Sequence, residues 1–303
     1  MDAPQPISTG LSPVELHRLC RRGVWRRLRD HPGAALSAEG RHLLLVLEVA
    51  ETMADTDVAS HCSATVLLGL PGWSARLGRV HLTRITTNGG FMSRHVVVHS
   101  ARIEPDEIQT VNGIPVTTPP RTVIDIARWE GFEHAVVVGD AALNRGLTTS
   151  AELREHLRRA EHRPGYRKAE RVVGFLDGRS ASVGESRSRV AIHRGGLPAP
   201  ELHAHVFAAG GAHLGQVDFL FAELGVIGEF DRAGLDQNGL PRIGADPIVK
   251  IPEAALRALG WCVVRWSWDD LDEPDELIHR LRAAAERAGH LRRTGHWRAS
   301  PKT

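Results

Sequence analysis

The stretch that most limits how this 303-residue chain can fold is GQVDFLFAELGVIGEFD, residues 215–231. It reads as two short apolar strands, Gln216–Phe221 and Gly225–Asp231, joined by a tight Ala-Glu-Leu turn. Each strand is apolar except for carboxylates: Asp218 in the first, Glu229 and Asp231 in the second. A carboxylate inside a sheet is costly unless it is paired, hydrogen-bonded or bound to a metal. Three acids on one hairpin are a donor set for a hard divalent cation. Mg²⁺ takes oxygen ligands, often one or two carboxylates together with phosphate oxygens. The competing reading is an ion-pair network with arginines such as Arg187 and Arg265.

The length allows two or three domains. The formal charge of +2 gives no global field toward a polyanion. The kind of basic residue says more. Lysine occurs only at 168, 250 and 302, so nearly all of the 38 basic residues are arginine, the side chain suited to bidentate phosphate and base contacts. Cys20, Cys62 and Cys262 show neither a zinc spacing nor an even disulfide set. They read as reduced core residues of a cytoplasmic protein. The start, MDAPQPISTG, has no signal pattern. The longest apolar run, Leu43–Ala50, contains Glu48 and is far too short to span a bilayer, so no membrane partner is expected.

Along the chain, Ser12, Pro13 and Glu15 open a short helix with a capping box, and Val24–Leu28 reads as a strand. Six arginines fall in the twelve residues from Arg18 to Arg29, with no acid. A basic helix followed by a basic strand fits the second half of a winged helix-turn-helix, whose recognition helix enters the major groove. Arg18, Arg21, Arg22, Arg26 and Arg27 are its candidate DNA contacts. Only ten residues precede Leu11, so the module is expected to be partial; the bland reading is a solvated basic face. Helices are expected at 37–56 and within 60–73, the second stopping at Gly69 and Pro71, then strands at Val80–Thr83, Val96–Val98 and Pro115–Thr117. Further helices are expected at 117–128, 133–145 and 150–160. Asp125 is placed to pair with Arg121 four residues before it. His61 has no partner at i+4 and reads as a helix-start residue. His95 and His99 alternate on one strand face and lack a third ligand. Leu153–Lys168, rich in arginine and histidine, reads as a solvated helix and linker, with phosphate binding as the alternative.

From about residue 170 the expected elements are a helix at 184–193 with Glu185 in its first turn, a strand at 201–207, and the hairpin. A helix at 248–259, a strand at 261–266 and a helix at 270–289 follow. A basic tail without regular structure closes the chain. The order is α-β-β-β-α-β-α.

That order, with acids at those places, resembles the PD-(D/E)xK nuclease fold. The residues GESRSR (184–189), VDF (217–219), GEFD (228–231) and LRALGWCVVRW (256–266) resemble the endonuclease-like domain related to very-short-patch repair endonucleases. SHCSATVLLGL (60–70) and VTTPPRTVIDIA (116–127) resemble the AbiEi-type antitoxin of type IV toxin–antitoxin systems, in an arrangement found in actinobacterial proteins. The resemblance implies an α/β fold, α+β overall. A partial winged helix-turn-helix (1–58) and a small antitoxin-like α+β domain (59–168) come first. A restriction-endonuclease-like α-β-β-β-α-β core with a mixed sheet (169–290) and a basic tail (291–303) follow. It implies that Asp218 and Glu229 ligate Mg²⁺ or Mn²⁺, that Asp231 ligates or orients water, and that Glu185 completes the acidic cluster. Arg232 stands where the family has a glycine, and Leu235 where it has a basic residue. Lys250, at the start of the next helix, is the candidate replacement, with Glu253 close enough in sequence to engage it instead. The implied function is a DNA-binding protein with a metal-dependent phosphodiester-hydrolysing domain, linked to phage defence or to a cognate toxin. The alternative is a catalytically inactive DNA-binding autoregulator of antitoxin type.

Overall fold

The computed structural model describes residues 37–72, 77–84, 89–231 and 250–300. Arg18, Arg21, Arg22, Arg26 and Arg27, the partial winged helix-turn-helix built on them, Cys20 and Leu235 lie outside the described residues. The chain forms two compact units that divide between Phe175 and Leu176. Each is mixed α and β with a mixed sheet. Among the described residues no helix is long and apolar enough to cross a membrane.

In the first unit, α1 (Ala38–Ala50) starts at Ser37, whose hydroxyl accepts from the Gly40 N–H at 3.1 Å. It ends before the expected residue 56, because Asp57 folds the chain back: its carboxylate accepts from the Ala54 N–H and pairs with Arg84. Strand β1 (Val58–Ala59) leads into α2 (His61–Leu67), which stops ahead of Gly69 at φ 68° and Pro71. Strands β2 (Val80–Arg84), β3 (Phe91–Met92), β4 (Val96–Ser100), β5 (Ile108–Val111) and β6 (Ile114–Thr117) complete a sheet in the order β3-β4-β2-β1-β6-β5. Within it, β2 runs parallel to β4 and β1 parallel to β6. Strands β1, β3 and β5, too short or too polar to read from periodicity, are additions to the expected set. Helices α3 (Pro119–Trp129), α4 (Phe132–Asn144), α5 (Ser150–Arg159) and α6 (Tyr166–Phe175) follow. The arginine-rich stretch 153–168, expected as a solvated helix and linker, holds the end of α5 and the start of α6. The Arg121–Asp125 pair forms at 2.8 Å, and Arg121 also reaches Glu107. All three side chains are buried, and Arg128 also reaches Asp125 at 3.3 Å, so each charge here faces an opposite one, the condition under which a core tolerates charge.

In the second unit, α7 (Val183–Arg194) precedes β7 (Glu201–Phe207), β8 (His213–Phe221) and β9 (Val226–Phe230). Then come α8 (Glu253–Ala258), β10 (Cys262–Trp266), α9 (Trp268–Asp272) and α10 (Pro274–Ala288), and last β11 (His296–Arg298). The sheet order is β10-β9-β8-β7-β11, with β10 parallel to β9 and the other pairs antiparallel. Strand β11 corrects the expectation of an unstructured tail. It pairs with β7, and His296 stacks on Phe207 with centroids 4.7 Å apart.

The sheet carries a core on each face. Phe219, Phe221, Val226, Phe230 and Trp266 pack with α7 and α10. Leu220 and Ile227 pack with Ile251, Leu256 and Trp261 on the other. Alternation along β8 and β9 therefore puts Asp218 and Glu229 on the face of Leu220 and Ile227. Both positions are buried, Asp218 8% and Glu229 4% exposed.

Candidate active site

Strand pairing builds the acidic centre. The last β8–β9 pair is Phe219 with Gly228, and one step further along that register Asp218 stands opposite Glu229. Glu229 in turn lies beside Arg265 of β10. Two glycines let the large rings close around this point. A Cβ on Gly228 would overlap the Trp266 ring, and one on Gly184 the Phe230 ring. Trp266 Nε1 donates to Ser188 Oγ at 2.7 Å, and Ser188 Oγ donates to Gly184 O at 2.7 Å. The GESRS segment of α7 is thus tied directly to β10.

Lys250 completes the centre. Ile251, 4% exposed, anchors the chain in the core beneath α8, and Pro252 caps that helix rather than entering it. The Lys250 ammonium lies 2.8 Å from Glu229 Oε2, 2.9 Å from Phe230 O and 3.4 Å from Asp218 Oδ2. Asp218 Oδ2 also accepts from the Phe230 N–H at 2.9 Å. Three oxygens from two adjacent strands therefore converge on one cation. Burial first, and the Asp218 charge second, push the Glu229 carboxyl above its usual range, and Lys250 pulls it partly back. Glu253 pairs with Arg257 and Arg265 instead of Lys250. Arg187 pairs with Asp272.

Glu185 sits in the first turn of α7, where Ser182 caps the helix. Its Oε2 accepts from the Ala181 N–H at 2.9 Å and lies 3.0 Å from His203 Nε2. His203 falls between Leu202 and Ala204, which pair with Phe219 and Val217, so it stands level with Asp218. Its φ of 53° turns it out of the ladder. Its carbonyl accepts from Gln216 Nε2 at 2.8 Å and from Ser300 Oγ at 2.5 Å. Asp231, exposed, follows β9, its N–H donating to Trp266 O at 2.7 Å. The structure thus brings Asp218, Glu229 and Lys250 to one point and joins Glu185 to His203. Sequence reading missed His203 and the Phe230 carbonyl. A backbone oxygen leaves no trace in a sequence, and a histidine within an alternating strand looks like any solvent-facing residue.

The oxygen set suits a hard cation. Asp218, Glu229 and the Phe230 carbonyl are the donor types that Mg²⁺ takes, and a cationic group already lies among them.

Two relatives match the chain. They are the uncharacterized proteins MT2308 and Rv2248 of two Mycobacterium tuberculosis strains, each 30% identical over 182 residues. The match covers 60% of this chain and spans 65% of the length of each relative. No protein-family model matches the chain, and no solved structure matches it.

Proposed function

We propose that the second unit is an endonuclease-like domain of PD-(D/E)xK type that hydrolyses phosphodiesters with Mg²⁺ or Mn²⁺. In this reading the first unit is an antitoxin-like module, partly winged helix-turn-helix, that binds DNA and meets a cognate toxin. The observation that carries the reading is the convergence of Asp218 Oδ2, Glu229 Oε2 and Phe230 O on one cationic group. A sheet gains nothing in stability from burying two carboxylates side by side unless a cation is held between them.

Asp218, Glu229 and the Phe230 carbonyl would hold the metal. When bound, it would polarise a phosphodiester oxygen and lower the pKa of a coordinated water. Lys250 would give up its carboxylate contacts and neutralise a phosphate oxygen. Glu185 holds His203 by its Nε2, level with Asp218 in the sheet. The test is plasmid cleavage with Mg²⁺ or Mn²⁺ by wild type, Asp218→Asn and Glu229→Gln. Both variants are expected to fall to background. Equal cutting by all three overturns the reading.

One observation favours the second reading, an autoregulator of antitoxin type that binds DNA without cutting. The Lys250 ammonium already satisfies both carboxylates. In that case Mg²⁺ would leave thermal unfolding unchanged, and Lys250→Ala would destabilise the unit by about 1–3 kcal/mol, a buried-pair penalty reduced for a partly exposed lysine. In the nuclease reading Mg²⁺ raises the Tm of wild type and restores that of Lys250→Ala. DNA binding that weakens steeply with salt is common to both.

A further inference from the structure

The first unit holds a cluster that neither reading above uses. His61 opens α2, His81 lies in β2 and His99 in β4, and one ligating nitrogen from each lies within 4.8 Å of the other two. Strands β2 and β4 run parallel, with His81 opposite Val97 and Thr83 opposite His99. His81 and His99 therefore rise from one face of adjacent strands, two positions apart. Their rings meet at 3.0 Å, Nδ1 of His81 to Nε2 of His99. His61 arrives from the helix and stacks on His99, with centroids 3.7 Å apart and planes 18° from parallel. It does so at φ 50°, a left-handed state that non-glycine residues adopt rarely and that clusters at ligand sites.

The surroundings are those of a ligand set. His61 Nδ1 lies 3.0 Å from Ser60 Oγ, and Thr83 Oγ1 donates to that same oxygen at 2.7 Å. In the tautomer whose Nδ1–H donates to Ser60 Oγ, the Nε2 lone pair is left for a metal bond, as when an outer partner that accepts from the other ring nitrogen orients a ligating histidine. Burial above all, then the neighbouring imidazoles and arginines, hold His61 well below the ordinary imidazole range. Neutral imidazole is the form that ligates. Arg121, whose charge reaches His61, is itself held between Glu107 and Asp125. His61 and His81 are buried, whereas His99 is half-buried and has the exposed Trp129 edge-on at 4.9 Å. The cluster is closed on one side and reaches solvent on the other. His95, the sequence neighbour that alternates with His99, is exposed and lies outside it.

We propose that His61, His81 and His99 form a metal centre for a divalent first-row transition ion of the Zn²⁺ class, with a fourth position open to water or a small anion. Three imidazoles select Zn²⁺-like ions over Mg²⁺, which prefers oxygen. The site is thus chemically separate from the carboxylates of the second unit and independent of the function proposed there.

The test uses the full chain without a polyhistidine tag, stripped by chelation and titrated with Co²⁺. Wild type is expected to develop visible d–d absorption that saturates at one equivalent and is abolished by Zn²⁺. The His81→Gln/His99→Gln variant is expected to lose it, and His205→Gln, in the second unit, to keep it. Ser60→Ala is expected to weaken binding about 10-fold, as loss of an outer-shell partner does. Because the double substitution lies in a core, X-ray absorption of wild type with one equivalent of Zn²⁺ is the second measurement. A shell of three imidazole nitrogens at about 2.0 Å supports the centre. No d–d absorption in wild type, a shell of oxygen alone, or undiminished absorption in a folded double variant overturns it.

Discussion

His61 and His203 hold φ angles of 50° and 53°, and each engages a candidate functional group: the other histidines of the first unit, and Glu185 in the second. Such a backbone state costs about 1–3 kcal/mol in a residue with a Cβ and persists only where the surroundings enforce it. Ser60 and Thr83 enforce it for His61, and Gln216 and Ser300 for His203. Glycine does the opposite at Gly184, where its missing side chain is the useful property. The Phe230 ring occupies the space a methyl would need, and Phe230 lies between Glu229 and Asp231. Gly184→Ala is expected to destabilise the second unit by about 1–3 kcal/mol, the usual cost of overpacking, and to weaken any Mg²⁺-linked stabilisation. Urea unfolding with and without Mg²⁺ checks both.

Asp177, Arg179 and Glu201 brace the entry to α7 against the start of β7. Burial alone would push the Asp177 carboxyl up, but Arg179 donates to both of its oxygens and leaves it below its ordinary value. A depressed carboxyl contributes stability above its unfolded pKa, about 3.9 for aspartate. That contribution disappears as pH falls through the folded value. Stability of the second unit is expected to drop as pH falls from about 5 to 3, and to drop less in Asp177→Asn, as denaturant midpoints at each pH would show. The hairpin and β10 were legible in the sequence because their apolar runs are strong, and α7 because a serine- and glycine-rich turn opens it; the one helix expected at 270–289 is instead broken before Pro274 into α9 and α10. The convergence of Asp218 and Glu229 was legible too, since a two-residue alternation and a tight turn fix register. The three-histidine cluster was not. His61, His81 and His99 are spread over 39 positions and meet only because β2 and β4 pair in parallel across an intervening chain segment. Strand β11 was equally hidden, because its three residues take their order from β7.

Each unit has its own sheet and its own buried side chains, so unfolding of the whole chain is expected to depart from a single two-state transition. Calorimetry should resolve two components. A ligand at 100 times its Kd stabilises the form that binds it by about 2.7 kcal/mol. Zn²⁺ is expected to raise one component and Mg²⁺ the other. A single component raised equally by both ions would show that the two centres are not separately housed. The pairing of β11 with β7 bears on the solution behaviour of the entire protein. The exposed residues His296–Arg298 occupy hydrogen-bonding groups along one margin of the five-stranded sheet. Trimming the chain before Gly295 would uncover the backbone donors and acceptors of His205–Phe207 at the end of β7, extending the open edge on which sheets recruit further strands. Residues 296–298 thus cover that part of the margin, and versions trimmed before Gly295 are expected to self-associate more than the full chain, as light scattering would show.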